Sequence, residues 1–322
     1  MFTAHDLEDA AAFVHARMAP TAQHHWPLLS AATGAQVWVK HENHTPTGAF
    51  KVRGALTFID WLTRTRPDVT GICTATRGNH GQGQAWAATK AGLTAKVYVP
   101  RGNSVEKNAA MQAFGAELIE HGDDFDTARV EALQVAKAEG LFVVPAFHPE
   151  LVRGVATYAY ELFTAQPDLD TVYVPIGCGS GICGTIIARD ALGLDTKIVG
   201  VVSDKAQTAK LSVEAGRLVE TNAADTFADG MAVRVPVQAA LDIYGPGAER
   251  IITVSDNEVA DAIRLYFTAT HNVAEGAGAA PLAGLMQERA QMQGKKAGVI
   301  LCGGNIDTGW FKTVLDGNTP KL

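Results

Sequence analysis

Four short stretches of the chain carry residue types that could do chemistry together. The first is KHENHTPTGAFKVRGA, from Lys40 to Ala55, where Lys51 sits between Phe50 and Val52 just after a Pro/Thr/Gly turn. Apolar neighbours lower an amine's pKa, because desolvation penalises the charged form. A neutral amine can add to an aldehyde or take a proton from carbon. A surface lysine at a helix start would show the same letters. The second stretch is PIGCGSGICG, residues 175–184. Gly177, Gly179 and Gly181 leave the backbone bare around Cys178 and Ser180, and a helix is expected from about Gly181. Bare N–H groups ahead of a helix form an anion site, most often for phosphate. A tight strand-to-helix turn would use the same glycines. The stretch lacks the Gly-Lys-Ser/Thr of a P-loop and follows the dinucleotide GxGxxG only loosely.

The third stretch, ATRGNHGQG, residues 75–83, sets Asn79 and His80 at an expected helix start. Asn79 is there either to meet a ligand or to cap the helix. The fourth, LCGGNID, residues 301–307, ends a strand at Cys302. A buried cysteine is often an inert core residue. Yet this one falls at the carboxyl end of a strand, where open α/β sheets bind ligands. A phosphate cradle, a desolvated lysine, an asparagine at a helix start and a weak hydrogen-bonding side chain form a recognisable set. Pyridoxal 5'-phosphate requires it: a phosphate site, an amine for its aldehyde, and partners for its phenolic oxygen and ring nitrogen.

Those loops need strands behind them. Eight apolar runs read as strands: 36–40, 71–76, 95–100, 141–146, 171–177, 197–203, 250–254 and 297–303. They are continuously apolar rather than alternating, as strands covered on both faces should be. Helix-like stretches lie between them. SDNEVADAIRLYFTAT opens with Ser255 and has Glu258 three residues later, the capping-box pattern. The fold class is therefore α/β, layered, with mainly parallel twisted sheets. Pro46 with Gly48, and FHPE near residue 147, break the pattern. Residues 47–146 are expected as a small domain inserted into a large one made of 1–46 plus 147–322. His24 and His25 read as exposed or capping residues, and EKNAAM, residues 106–111, as an ordinary helix surface.

Composition narrows the partners. The chain has 322 residues, 47% hydrophobic and 19% charged, with a formal net charge of -7. Such a chain has a core and offers no basic footprint for nucleic acid. No apolar run approaches the roughly 18 residues of a membrane span. The start lacks a basic region followed by an apolar one, and the four cysteines show no CxxC pairing. A cytoplasmic protein with reduced thiols is expected. A homodimer is the default expectation for its assembly.

Taken in order, TGAFKVRGA, TRGNHGQ, GCGSG, FADGMAVRVP, VAEGAGAAPLAGL and LCGGNID resemble the motifs of fold-type II pyridoxal-phosphate enzymes, in the threonine/serine dehydratase and serine racemase branch. The resemblance covers nearly the whole chain. It implies a fold like that of the tryptophan synthase β subunit, with two three-layer lobes. It implies that Lys51 carries the cofactor and Phe50 packs against its ring. Asn79 would bond the phenolic oxygen. Gly177, Cys178, Gly179, Ser180 and Gly181 would hold the phosphate. Cys302 would face the ring nitrogen and Glu275 would sit near the ring. Thr76, Arg77, Gly78, Asn79 and His80 would receive the substrate carboxylate. The regulatory domain of some dehydratases is not expected.

The implied reaction is β-elimination of water from a 3-hydroxy amino acid, giving a 2-oxo acid and ammonia. Threonine, serine, 3-phenylserine and 3-hydroxyaspartate are the candidate substrates. A β-replacement synthase or a racemase would share these motifs, and a non-catalytic nucleotide-binding protein would share the glycine loop alone. The chain departs from the branch in two respects. Arg77 stands where a small residue, often serine, is usual; a guanidinium stays charged and is a poor acid, so little racemisation is expected. Some members bind a divalent cation through acids that here fall at Val202 and Thr208, leaving Asp204 beside Lys205. No metal site is expected, since hard cations need charged oxygen ligands.

Overall fold

The computed structural model describes residues 2–321. Ten strands form two sheets: β1 (Gln23–His25), β2 (Gln36–His41), β3 (Gly71–Ala75), β4 (Thr94–Val99), β5 (Ala116–Glu120), β6 (Phe142–Val143), β7 (Thr171–Pro175), β8 (Lys197–Ser203), β9 (Arg250–Val254) and β10 (Lys296–Leu301). The larger sheet has the order β1-β2-β10-β7-β8-β9, the smaller β5-β4-β3-β6. Every pairing is parallel except β1 with β2. Val172, Tyr173, Val174, Val199, Val201, Val299 and Ile300 are buried, as both-face coverage demands.

The strand expectations differ from the structure at three places. LFVVPA yields only Phe142–Val143, because the edge position pairs briefly with β3 and Pro145 has no N–H to donate. AELIE forms β5, whose two acids face outward from a sheet edge and mask the signal. QHH forms β1 without a single β-branched or apolar residue, by pairing with β2. His24 and His25 on it are exposed.

Lys51 opens the helix Lys51–Thr65, whose Val52, Ala55, Leu56, Ile59 and Leu62 recur at helical spacing and are buried. This helix packs on the helix Pro149–Ala165 so closely that a Cβ on Gly154 would lie 2.2 Å from the Arg53 carbonyl oxygen. Arg53 is fully buried between them. It donates to Glu42 at 2.7 Å and to Thr157 at 2.9 Å, and pairs with Glu161 at 2.5 Å. Lys40 reaches the same Glu161 at 2.5 Å. The Ser255 capping box forms, with the Ser255 N–H donating to Glu258 at 2.7 Å.

Candidate functional site

The loop before Lys51 is stitched to the loop after β10. The Phe50 N–H donates to the Cys302 carbonyl at 2.9 Å, and the Gly304 N–H to the Gly48 carbonyl at 2.9 Å. This brings the first residue of one helix beside the end of a central strand. The half-buried Lys51 directs its amine at the Ser180 hydroxyl, 3.3 Å away. Burial pushes its pKa down, against the weaker pull of nearby Cys178, Cys302 and Glu275. Phe50 lies beside the amine, 4.7 Å from ring centroid to Nζ, and its ring meets Tyr158 edge-on at 6.1 Å.

The glycine loop follows β7. Its helix starts at Ser180, one residue before the expected position. Gly179 caps it with φ 98°, a left-handed conformation that glycine adopts without strain. A Cβ on Gly177 would fall 2.3 Å from the Gly230 carbonyl oxygen, so the loop is pressed against the FADGM segment. The first N–H groups of the helix Ser180–Ala191 have no partner within the helix. Ser180 is buried at the same place, while Gly177 and Cys178 are half-buried.

The helix Asn79–Lys90 has Gly78, not Asn79, at its N-cap, so the asparagine side chain is free of capping duty. Instead Asn79 donates to the Glu275 carboxylate at 2.7 Å and accepts from Asn305 at 2.8 Å. Glu275 is 2% exposed, and its Oε2 has no hydrogen-bond partner among the described residues. Burial and Asp229 push its carboxyl up to about 7, against Lys107, Asn79 and Lys51. His80 is half-buried with Nε2 unpartnered, and burial and Lys51 hold it neutral, down at about 3. Burial raises the Cys302 thiol well above its ordinary range, so it too is neutral. Thr76 is buried and accepts from the Gly78 N–H at 3.1 Å. Arg77 is exposed and forms no ion pair among the described residues.

Lys51, Asn79, Ser180, Glu275 and Cys302 thus converge, although up to 251 positions separate them (302 minus 51). A lysine with a lowered pKa, a bare helix start and unpartnered buried polar atoms fit a phosphorylated aldehyde cofactor. The family model described as pyridoxal-phosphate dependent enzyme matches residues 15–303. The chain belongs to that family. The L-threonine ammonia-lyase of Thermotoga maritima is 31% identical over 322 residues, covering 100% of this chain and 80% of the relative. The L-threo-3-hydroxyaspartate ammonia-lyase of a Pseudomonas species is 30% identical over 290 residues, covering 90% of this chain and 91% of the relative. Among solved structures, the processed form of threonine deaminase isoform 2 from Solanum lycopersicum superposes with a TM-score of 0.91 at 27% identity, over 97% of this chain and 87% of that one.

Three residues of this pyridoxal-phosphate enzyme's site escaped the sequence reading. Asn305 and Asp229 lie in motifs whose other members drew attention. Lys107 lies in EKNAAM, which is not an ordinary surface: Lys107, Asn108 and Met111 are buried. Nothing local marks that lysine, because its partner Asp229 is 122 residues away. Among the described residues no group of three His, Cys, Asp or Glu is placed to hold a metal. Val202 is buried, the Thr208 hydroxyl donates to the Val233 carbonyl at 3.1 Å, and Lys205 pairs with Asp256 at 2.8 Å. Among the described residues no helix is long and apolar enough to cross a membrane.

Proposed function

We propose that this enzyme is an ammonia-lyase that removes water from a 3-hydroxy amino acid and yields a 2-oxo acid and ammonia. The observation that carries the reading is Lys51, held 3.3 Å from the glycine-loop serine with a neutral Cys302 close by. The similar relatives named as ammonia-lyases support it. When bound, pyridoxal phosphate supplies the electron sink for charge at the substrate's α-carbon. Phe50, Asn79 and Glu275 would border its ring, and Gly177, Cys178, Gly179, Ser180 and Gly181 would hold its phosphate.

Lys51 would anchor the cofactor at rest, and its amine, set free when the substrate's amine takes its place, would take the α-proton as general base. Burial favours the neutral amine this needs. Ser180 orients that amine. Cys302 offers a neutral thiol, so it places no negative charge that would stabilise a proton on a bound ring nitrogen. That favours prompt loss of the β-hydroxyl over slower transamination or racemisation. Thr76, Arg77, Gly78, Asn79 and His80 seat the substrate carboxylate at the start of the helix Asn79–Lys90, where N–H groups point outward. The exposed Arg77 guanidinium makes 3-hydroxyaspartate a substrate worth testing beside threonine, serine and 3-phenylserine. The enzyme acts as a homodimer in the cytoplasm, a placement supported by its four unpaired cysteines.

The test is a panel of these four substrates, with threonine, 3-phenylserine and 3-hydroxyaspartate in both β-configurations, scored for 2-oxo acid release. Release from at least one is expected. A thiol adduct from activated serine without 2-oxo acid would make it a synthase. Interconversion of enantiomers without ammonia would make it a racemase.

A further inference from the structure

Lys107 and Asp229 meet across the cleft. Lys107 is on the helix Val105–Ala113, which packs with the smaller sheet, and is 5% exposed. Asp229 begins the short turn Asp229–Met231, which packs with the helix Gly276–Gln287 beside the larger sheet. They form an ion pair. Two neighbouring contacts join the same segments: Ser104 donates to Asp307, and the Thr308 N–H donates back to Glu106 at 3.0 Å. The Lys107 stem also backs the substrate loop, since a Cβ on Gly78 would lie 2.8 Å from its Cδ. The next residue, Asn79, holds Glu275 at 2.7 Å.

Glu275 is thus ringed by titratable groups, with one oxygen unpartnered among the described residues. Lys107 and Asp229 face it, as do Lys51 on the helix Lys51–Thr65 and Cys302 after β10. Among the described residues Asn79 is its one side-chain hydrogen-bond donor. In a water-excluded setting each neighbouring charge acts strongly, a cation favouring carboxylate and an anion opposing it. We propose that Lys107 and Asp229 are positioning residues that clamp the two lobes and jointly set whether Glu275 is charged when it meets the cofactor ring through Asn79. This inference rests on the reading of the cleft given above. The two partners act with opposite sign on one carboxyl, so their removal separates electrostatics from damage to the fold.

The experiment compares wild type, Lys107→Met and Asp229→Asn as holoenzymes. The carboxylic acid infrared band of glutamate is followed against pH, with Glu275→Gln as the subtraction control, alongside the pH profile of kcat/KM. The Glu275 midpoint is expected to rise in Lys107→Met and fall in Asp229→Asn, each by about one pH unit. Lys107→Arg, which keeps the cation, should restore the wild-type midpoint. Shifts in the same direction, or none, overturn the proposal. Should Lys107→Met not fold, the sign of the Asp229→Asn shift decides alone. An infrared shift in an enzyme that releases no 2-oxo acid would fault the assigned reaction and leave the clamp standing.

Discussion

The Lys51 amine lies 3.3 Å from the Ser180 hydroxyl, across 129 residues of sequence. The first turns of two helices from different parts of the chain therefore share one small volume. A cofactor whose phosphate rested on the second helix would have its aldehyde near the first. Lys51→Ala should lose the visible absorbance and the borohydride-fixed adduct, with turnover down at least about a hundredfold. An adduct surviving in this variant, located by mass spectrometry, would move the attachment to another lysine.

Gly177 has no room for a side chain beside the Gly230 carbonyl. Gly177→Ala must displace the glycine loop or the FADGM segment behind it. Its affinity for pyridoxal phosphate should fall at least about tenfold, or about 1.4 kcal/mol. Fluorescence titration of the apoenzyme measures this. Wild-type affinity would mean that the phosphate is held elsewhere.

Cys302 is buried and neutral. Cys302→Asp would place an acid beside a bound ring nitrogen and favour a proton there. Elimination should slow by about tenfold, since each 1.36 kcal/mol of barrier is one decade. Turnover that is unchanged or faster rejects this role for the thiol.

Arg53, on the helix that Lys51 opens, forms a buried charge network with Glu42, Glu161 and Lys40. Arg53→Met takes the ion-pair partner from buried Glu42 and leaves Glu161 to Lys40 and His15, and should cost about 3–5 kcal/mol of stability, read by denaturant unfolding. A loss near zero would mean the network is not needed.

The same network sets an acid limit. Burial pushes Glu161 up, but Arg53 and Lys40 together outweigh it and hold it at about 2, below its ordinary 4.5. A carboxyl with a depressed folded pKa stabilises the fold above pH 4.5, and this contribution is lost as pH falls from 4.5 through about 2. At full size it is about 3 kcal/mol. Glu161→Gln should flatten the stability curve in that window. A slope equal to wild type would place the acid sensitivity elsewhere.

The sequence by itself determined the features that are local. Continuous apolar runs announced β2, β3, β4, β7, β8, β9 and β10, because a strand covered on both faces needs little else. Lys51 between hydrophobes, the glycines around Cys178, Asn79 at a helix start and Cys302 at a strand end each announced chemistry through side chain and neighbours alone. Tertiary structure decided what depends on pairing across the chain. QHH became β1 because β2 offered an edge, and Arg53 went into the core because Glu42 and Glu161 were there to meet it. Lys107 turned from an apparent surface residue into a clamp because Asp229 arrives opposite it after 122 intervening steps of chain. A lone charge in a helix reads the same whether solvent or a counter-ion awaits it, and only packing supplies the counter-ion.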